Sequence, residues 1–287
     1  MIKIVDTYSQ IFGLLEKGIF SLEKWRQYIN LIYDNSSHIF EDDVKEYIDK
    51  GNYIFKKNFL PIINAVYKNP SLEQLHHSFK AVTNGLNEKV IESFGRELHV
   101  DIVLYLGLCN AAGWATQING TDTVLLGVEK IIELNWESVN EFYGLIYHEL
   151  GHIYHKQYGC LKQYSINSKK NFVWQLFTEG IAMYFEQALV NDFNYYHQDK
   201  NGWKNWCEKH FQQILLDFDA DLQIMTKMNQ RYFGDWVDYY GRSDVGYFLG
   251  TKFVHYLCKK HSFEQLINMK PDDIYDEYLV FVALNGR

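Results

Sequence analysis

Three features of the chain predict a predominantly helical α+β fold. Apolar residues recur at three- and four-residue steps over most of its length, and proline is held to three residues among 287. The one clearly extended, β-branched region is confined to residues 98–128. A chain of this length can bury a substantial core as one large domain or two modest ones. Its hydrophobic fraction of 47% and aromatic fraction of 17% exclude a disordered chain. The net charge of -8 disfavours general attraction to phosphate backbones or anionic lipid, so neither nucleic acid nor membrane is an expected partner.

Residues 1 to about 95 read as a helical N-terminal part. Leu22, Trp25, Tyr28, Ile29 and Ile32 mark one amphipathic stretch behind a candidate N-cap, Ser21. A second runs from about Asp43 to Lys68, with Gly51 and Pro61 expected to interrupt or bend it. Ser71 with Gln74 three residues on predicts a capping box opening a third. The adjacent His76 and His77 read as polar positions on its face.

The extended region follows. Leu98–Leu106, Trp114–Ile118 and Thr123–Val128 predict three strands, and Asn119-Gly120 is a hairpin signal that Thr121 and Asp122 could lengthen. A small sheet over 98–128 therefore precedes the helices that carry the chemistry. An exposed edge of such a sheet could hold an extended peptide through main-chain hydrogen bonds.

Beyond residue 128 the chain turns helical again. Ser138 and Glu141 predict a capping box for a helix over 138–159, with Gly159 as its stop. Further helices are expected over 171–190, 203–218 and 244–260, the last capped by Ser243. The four cysteines, Cys109, Cys160, Cys207 and Cys258, lack the spacing of a zinc knuckle or a dense disulfide framework. No signal-peptide core and no run of about 18 apolar residues is evident, so a cytoplasmic protein is the default expectation. Nothing in the sequence bears on oligomeric state.

The 138–159 helix contains His148-Glu149-Leu150-Gly151-His152. Histidines four residues apart project from one helix face and can share a zinc ion. Glu149 lies roughly 100° round the helix from His148, beside the ion, where its carboxylate can accept a proton from water. By residue frequencies alone this five-residue pattern arises in roughly one chain in a hundred of this length, so its surroundings must decide. Gly144 and Gly151 flank the histidines, while Ile146, Leu150 and Ile153 point toward a core.

A catalytic zinc needs a third protein ligand, and His155, Glu179 and Asp192 are the candidates. His155 lies roughly 10.5 Å along the helix axis from His148, too far for all three imidazoles to converge. Glu179 is the better candidate. It sits on the next helix in a narrow polar strip with Gln175 and Glu186, where Gly180 and Ala182 permit close helix packing. A solvated carboxylate on that strip is the alternative.

His148-Glu149-Leu150-Gly151-His152 followed by Thr178-Glu179-Gly180-Ile181-Ala182 resembles the gluzincin metallopeptidases, in which two histidines and a glutamate on the following helix bind zinc. Val245-Gly246-Tyr247-Phe248-Leu249-Gly250 is similar to the Gly-Tyr-x-x-Gly helix start of a bacterial family of predicted zinc-dependent proteases. The resemblance covers roughly residues 98–256, with 26 residues between His152 and Glu179, more than in the best-known gluzincins. It implies a zincin-like metallopeptidase domain over 96–287, Zn2+ held by His148, His152 and Glu179, and Glu149 as general base. The expected activity is hydrolysis of peptide or protein substrates. Tyr247 is the candidate transition-state donor, with Tyr239 and Tyr240 as alternatives. A zinc-holding scaffold without turnover, or a zinc hydrolase of a non-peptide amide or ester, would use the same ligands.

Overall fold

The central strands of the sheet are β-branched and apolar on both faces, which is the pattern of parallel strands covered from both sides. The computed structural model describes residues 1–286 apart from Asn52, Tyr164, Ile166 and Asp235, with Tyr47 described by its backbone alone. It divides into two compact units, 1–149 and 150–287. Mostly helical with one small mixed sheet, it has the α+β character expected.

Unit 1 contains β1 (Ile2–Asp6), β2 (Leu15–Glu16), β3 (Ile19–Phe20), β4 (Val100–Tyr105), β5 (Gly113–Ile118) and β6 (Thr121–Gly127). Its helices are α1 (Tyr8–Ile11), α2 (Leu22–Ile32), α3 (Ser37–Gly51), α4 (Leu60–Val66), α5 (Ser71–Thr83), α6 (Leu86–Phe94), α7 (Val128–Glu133) and α8 (Val139–Phe142). The main sheet has the order β1-β4-β6-β5; β1, β4 and β6 run parallel and β5 runs antiparallel at one edge. Every residue of β4 is buried.

Local chemistry explains most of these elements. Asn119 and Gly120 both take positive φ, 50° and 82°, and Ile118 pairs with Thr121. The β5–β6 hairpin therefore closes through a two-residue loop, with Thr121 and Asp122 inside β6 rather than lengthening the turn. Ser21 caps α2 by accepting from the Lys24 amide at 3.4 Å. Pro61 stands in the first turn of α4, where its missing N–H costs nothing.

Several expectations are corrected. Residues 2–6 form β1, paired in register from Ile2↔Val100 to Asp6↔Leu104, whereas helices alone are expected over the first 95 residues. Five residues are too few for their alternation to stand out, and β4 supplies the pairing. Pro70, not Ser71, occupies the cap position of α5; Asn69 accepts the Ser71 amide at 2.8 Å, and Gln74 turns to Ser78 instead of closing a capping box.

Unit 2 contains α9 (Glu149–Tyr158, its first residue being the last of unit 1), α10 (Ser168–Val190), α11 (Trp203–Lys209), α12 (Phe211–Asp221), α13 (Val245–Leu257), α14 (Phe263–Leu266) and α15 (Pro271–Asn285). α10 is apolar nearly all round and forms the centre, packing on α13 and α15. The contact with α13 is a backbone one. A Cβ placed on Gly180 would lie 2.3 Å from the Gly250 carbonyl oxygen, and one on Gly250 would lie 2.4 Å from that of Leu176. The helix expected over 203–218 breaks at His210, whose ring stacks on Trp206 and bonds the Trp206 carbonyl at 2.8 Å. α13 begins after Asp244, which has φ of 61°, rather than being capped by Ser243. Gly159 does end the motif helix, and close approach to Ile267 requires it, since a Cβ would sit 2.1 Å from the Ile267 carbonyl oxygen. Among the described residues no helix is long and apolar enough to cross a membrane.

Glu129 in α7 is completely buried and accepts hydrogen bonds from the backbone amides of Gly107 at 2.7 Å and Cys109 at 2.9 Å. It thereby clamps the loop between β4 and β5, in which Cys109 takes a left-handed φ of 68°. Burial raises its pKa from 4.5 to about 7, outweighing those amides. The folded state thus binds a proton more readily than the unfolded one. Its stabilising effect is complete below the unfolded pKa and is lost as pH rises through about 7.

Urea unfolding followed across pH 5 to 8 is expected to show stability falling by up to roughly 3 kcal/mol from this group, and Glu129→Gln to flatten that slope. Gly250→Ala should lower stability by roughly 1–3 kcal/mol, because its Cβ meets backbone on α10 that cannot move aside alone.

Candidate metal centre

The helix that carries the motif is not uniform. α8 leads into a wider π-helical turn, Tyr143–His148, before α9 resumes regular α geometry at Glu149. Ser138 stands at the start with an extended backbone, but its hydroxyl bonds the Glu141 carboxylate directly, so the predicted backbone capping box does not form. The rotation of the helix is set one residue before the motif. Tyr147 is buried, donates its hydroxyl hydrogen to the Val82 carbonyl at 3.1 Å and lies beneath the Lys89 ammonium. Gly113 of β5 abuts Leu145 on the same turn, so the edge strand passes beside the segment ending at His148.

His148 and His152 then project one turn apart, as the four-residue spacing dictates. His148 is buried, and His152 and Glu179 are partly so, with side-chain exposures of 22% and 17%. Glu179 reaches back from α10 to place Oε2 3.2 Å from Nε2 of His152. The approach depends on small residues: a Cβ on Gly151 would come within 2.7 Å of the Ala182 Cα. His148, His152 and Glu179 each offer one ligand atom, and those atoms all lie within 4.8 Å of one another.

Zinc–ligand bonds of roughly 2.0–2.1 Å in a tetrahedron set neighbouring ligands about 3.3 Å apart, close to the His152–Glu179 separation. Two imidazoles and one carboxylate are also the donor set of catalytic zinc sites with an open fourth position. The residues therefore fit the ion. Glu149 follows His148 directly and is half-buried at the head of α9.

No protein-family model, curated protein or solved structure matches the chain.

The other sequence candidates for third ligand are not in this group. His155 is completely buried, edge-on to Phe177 and tilted against Trp174. Burial, and after it the charge of His152, pushes its pKa down to about 3, so it stays neutral. Asp192 is exposed and accepts from the Asn194 amide at 2.8 Å, closing the turn after α10.

Tyr247 occupies the first turn of α13, half-buried, with its ring centroid 6.4 Å from that of His197 and 5.8 Å from that of Phe233. Of its two alternatives, Tyr239 is buried and donates to Asp217 at 2.8 Å, which commits its hydroxyl elsewhere; Tyr240 is exposed.

Two residues escape sequence reasoning. Glu186 is completely buried, and its carboxylate oxygens lie 2.8 and 3.0 Å from Nδ1 of His197. These two residues and His148 form a second group of potential ligands within the same 4.8 Å limit. Glu186 leaves a trace in the sequence, two turns beyond Glu179 on one polar strip. His197, in the loop after α10, leaves none.

His155→Phe should leave metal content unchanged and alter stability by less than about 1.5 kcal/mol, as expected of a near-isosteric change in an aromatic surround. Metal analysis of the purified variant with thermal unfolding checks both; loss of the metal would make His155 a ligand.

Proposed function

We propose that the chain is a zinc-dependent peptidase in which His148, His152 and Glu179 hold the ion. The observation that carries this reading is the convergence of these three ligand atoms within 4.8 Å, with Glu149 next to His148 in the helix. The gluzincin-like pattern of the three motifs supports it. When bound, zinc supplies a Lewis acid that polarises a carbonyl and lowers the pKa of water toward about 7.

The protein side chains do the rest. Glu149 accepts a proton from the attacking water and passes it to the amine as the C–N bond breaks. The carbonyl oxygen gains negative charge in that step, and the Tyr247 phenol is the donor assigned to it. β5 is the antiparallel edge of its sheet, and Ala115 and Gln117 on it are exposed. A substrate strand added there would be held by main-chain hydrogen bonds in extended form.

Purified protein is expected to carry about one equivalent of zinc and to lose peptide hydrolysis on chelation, with recovery on adding zinc back. Glu149→Gln should retain the zinc and lose roughly 10²–10⁴-fold in kcat. Unchanged metal content in both His148→Ala and His152→Ala would end the proposal. Saturable zinc with no cleavage across a peptide library would make the chain a zinc-binding protein without turnover.

A further inference from the structure

Apolar side chains exposed singly need no explanation, but the segment joining α12 to α13 gathers four of them, Ile224, Met228, Trp236 and Tyr240. The segment is not slack. Tyr232 and Tyr239 are completely buried within it and donate to Asp221 and Asp217 of α12 at 2.7 and 2.8 Å. Arg231 donates to Asp221 at 2.9 Å, and its guanidinium lies over the rings of both tyrosines. At the other end the Gly246 amide donates to the Tyr232 carbonyl at 2.8 Å, and the Gly234 amide to the Asp244 carboxylate at 3.0 Å. Trp236 is therefore held out from a fixed base, 81% exposed. Part of its ring lies against Gly234, where an added Cβ would fall 2.6 Å away and φ is 108°; the rest is open to solvent. Phe233, the residue before Gly234, is buried edge-on against Tyr247 at 5.8 Å and fills the space that a Cβ on Gly246 would take. Three residues of chain reach at most roughly 11 Å, so the open indole stands within a few substrate residues of the phenol assigned to the oxyanion.

We propose that Trp236 is a specificity-determining residue, its exposed indole taking an aromatic or large aliphatic side chain of the peptide substrate. The inference rests on the zinc-peptidase reading above. An indole already fixed in place loses little freedom when a side chain packs on it, and an apolar side chain gains most from covering it. Arg231 and Arg242 in the same segment disfavour a cationic side chain there.

The test compares wild type, Trp236→Ala and Trp236→Phe on a mixed peptide library, with cleavage positions read by mass spectrometry and kinetics measured on peptides varied at the preferred position. Trp236→Ala is expected to lose roughly 10–100-fold in kcat/KM on peptides with Phe or Leu there, through KM, with little change for Ser or Lys. Trp236→Phe should recover most of the loss. Binding is read separately in Glu149→Gln: a Phe-containing peptide should shift tryptophan emission to the blue as the indole leaves water, and the shift should vanish when Trp236→Phe is added. Equal kinetics for wild type and Trp236→Ala, or a loss that is the same for every peptide, overturns the inference. So does a dimer, or binding to lipid vesicles, that Trp236→Ala abolishes without altering peptide preference, which would make the ring an association surface. Wild-type protein that holds no zinc or cleaves no peptide instead overturns the reading on which the inference rests.

Discussion

The closeness of α10 to its neighbours is the constraint on which the rest depends. On one side Gly151 leaves room for Ala182, and on the other Gly180 and Gly250 bring backbone against backbone. Contacts this short exclude any Cβ, which accounts for a glycine in each of the three motifs. They also decide the reach of Glu179, a short side chain that meets His152 at 3.2 Å because α9 and α10 are so close. That distance is thus a by-product of packing. A gap of one methyl group between these helices would be felt at the carboxylate before it was felt in the fold.

Three buried ionisable side chains show different answers to the same desolvation cost. His155 gives up its proton among Trp174 and Phe177 and behaves as an aromatic core residue. Glu129 gathers backbone amides from Gly107 and Cys109 and remains easier to protonate than an exposed carboxylate. Glu186 takes an imidazole partner.

What could be read from the sequence was what local geometry determines. The four-residue step from His148 to His152 places both rings on one face whatever surrounds them. The close packing of α10 was legible because Gly180 and Ala182 are small, and the Asn119-Gly120 turn because both residues tolerate positive φ. Long-range choices were not legible. β1 exists because β4 offers it a parallel partner almost a hundred residues later, and His197 is brought to Glu186 by the path of a loop. Polar positions on α10 form one strip, but nothing in the periodicity says that Glu186 is at its sealed end. The break at His210 follows from a ring stacked on Trp206, a contact that a helical pattern does not announce.

The π-helical turn at Tyr143–His148 has no residue code either, and it separates two jobs within one continuous helix. Within it Leu145 fits against β5, and its last residue, His148, opens the pair of histidines. In a strict 3.6-residue repeat those two faces would be locked together, and one would have to be compromised. The extra residue in the wide turn works like a vernier, letting the two ends be indexed separately. A one-residue deletion between Gly144 and Ile146 would therefore make the helix more regular and turn His148 by about 100° relative to Gly144, so that ideal geometry would come at the cost of the proposed site.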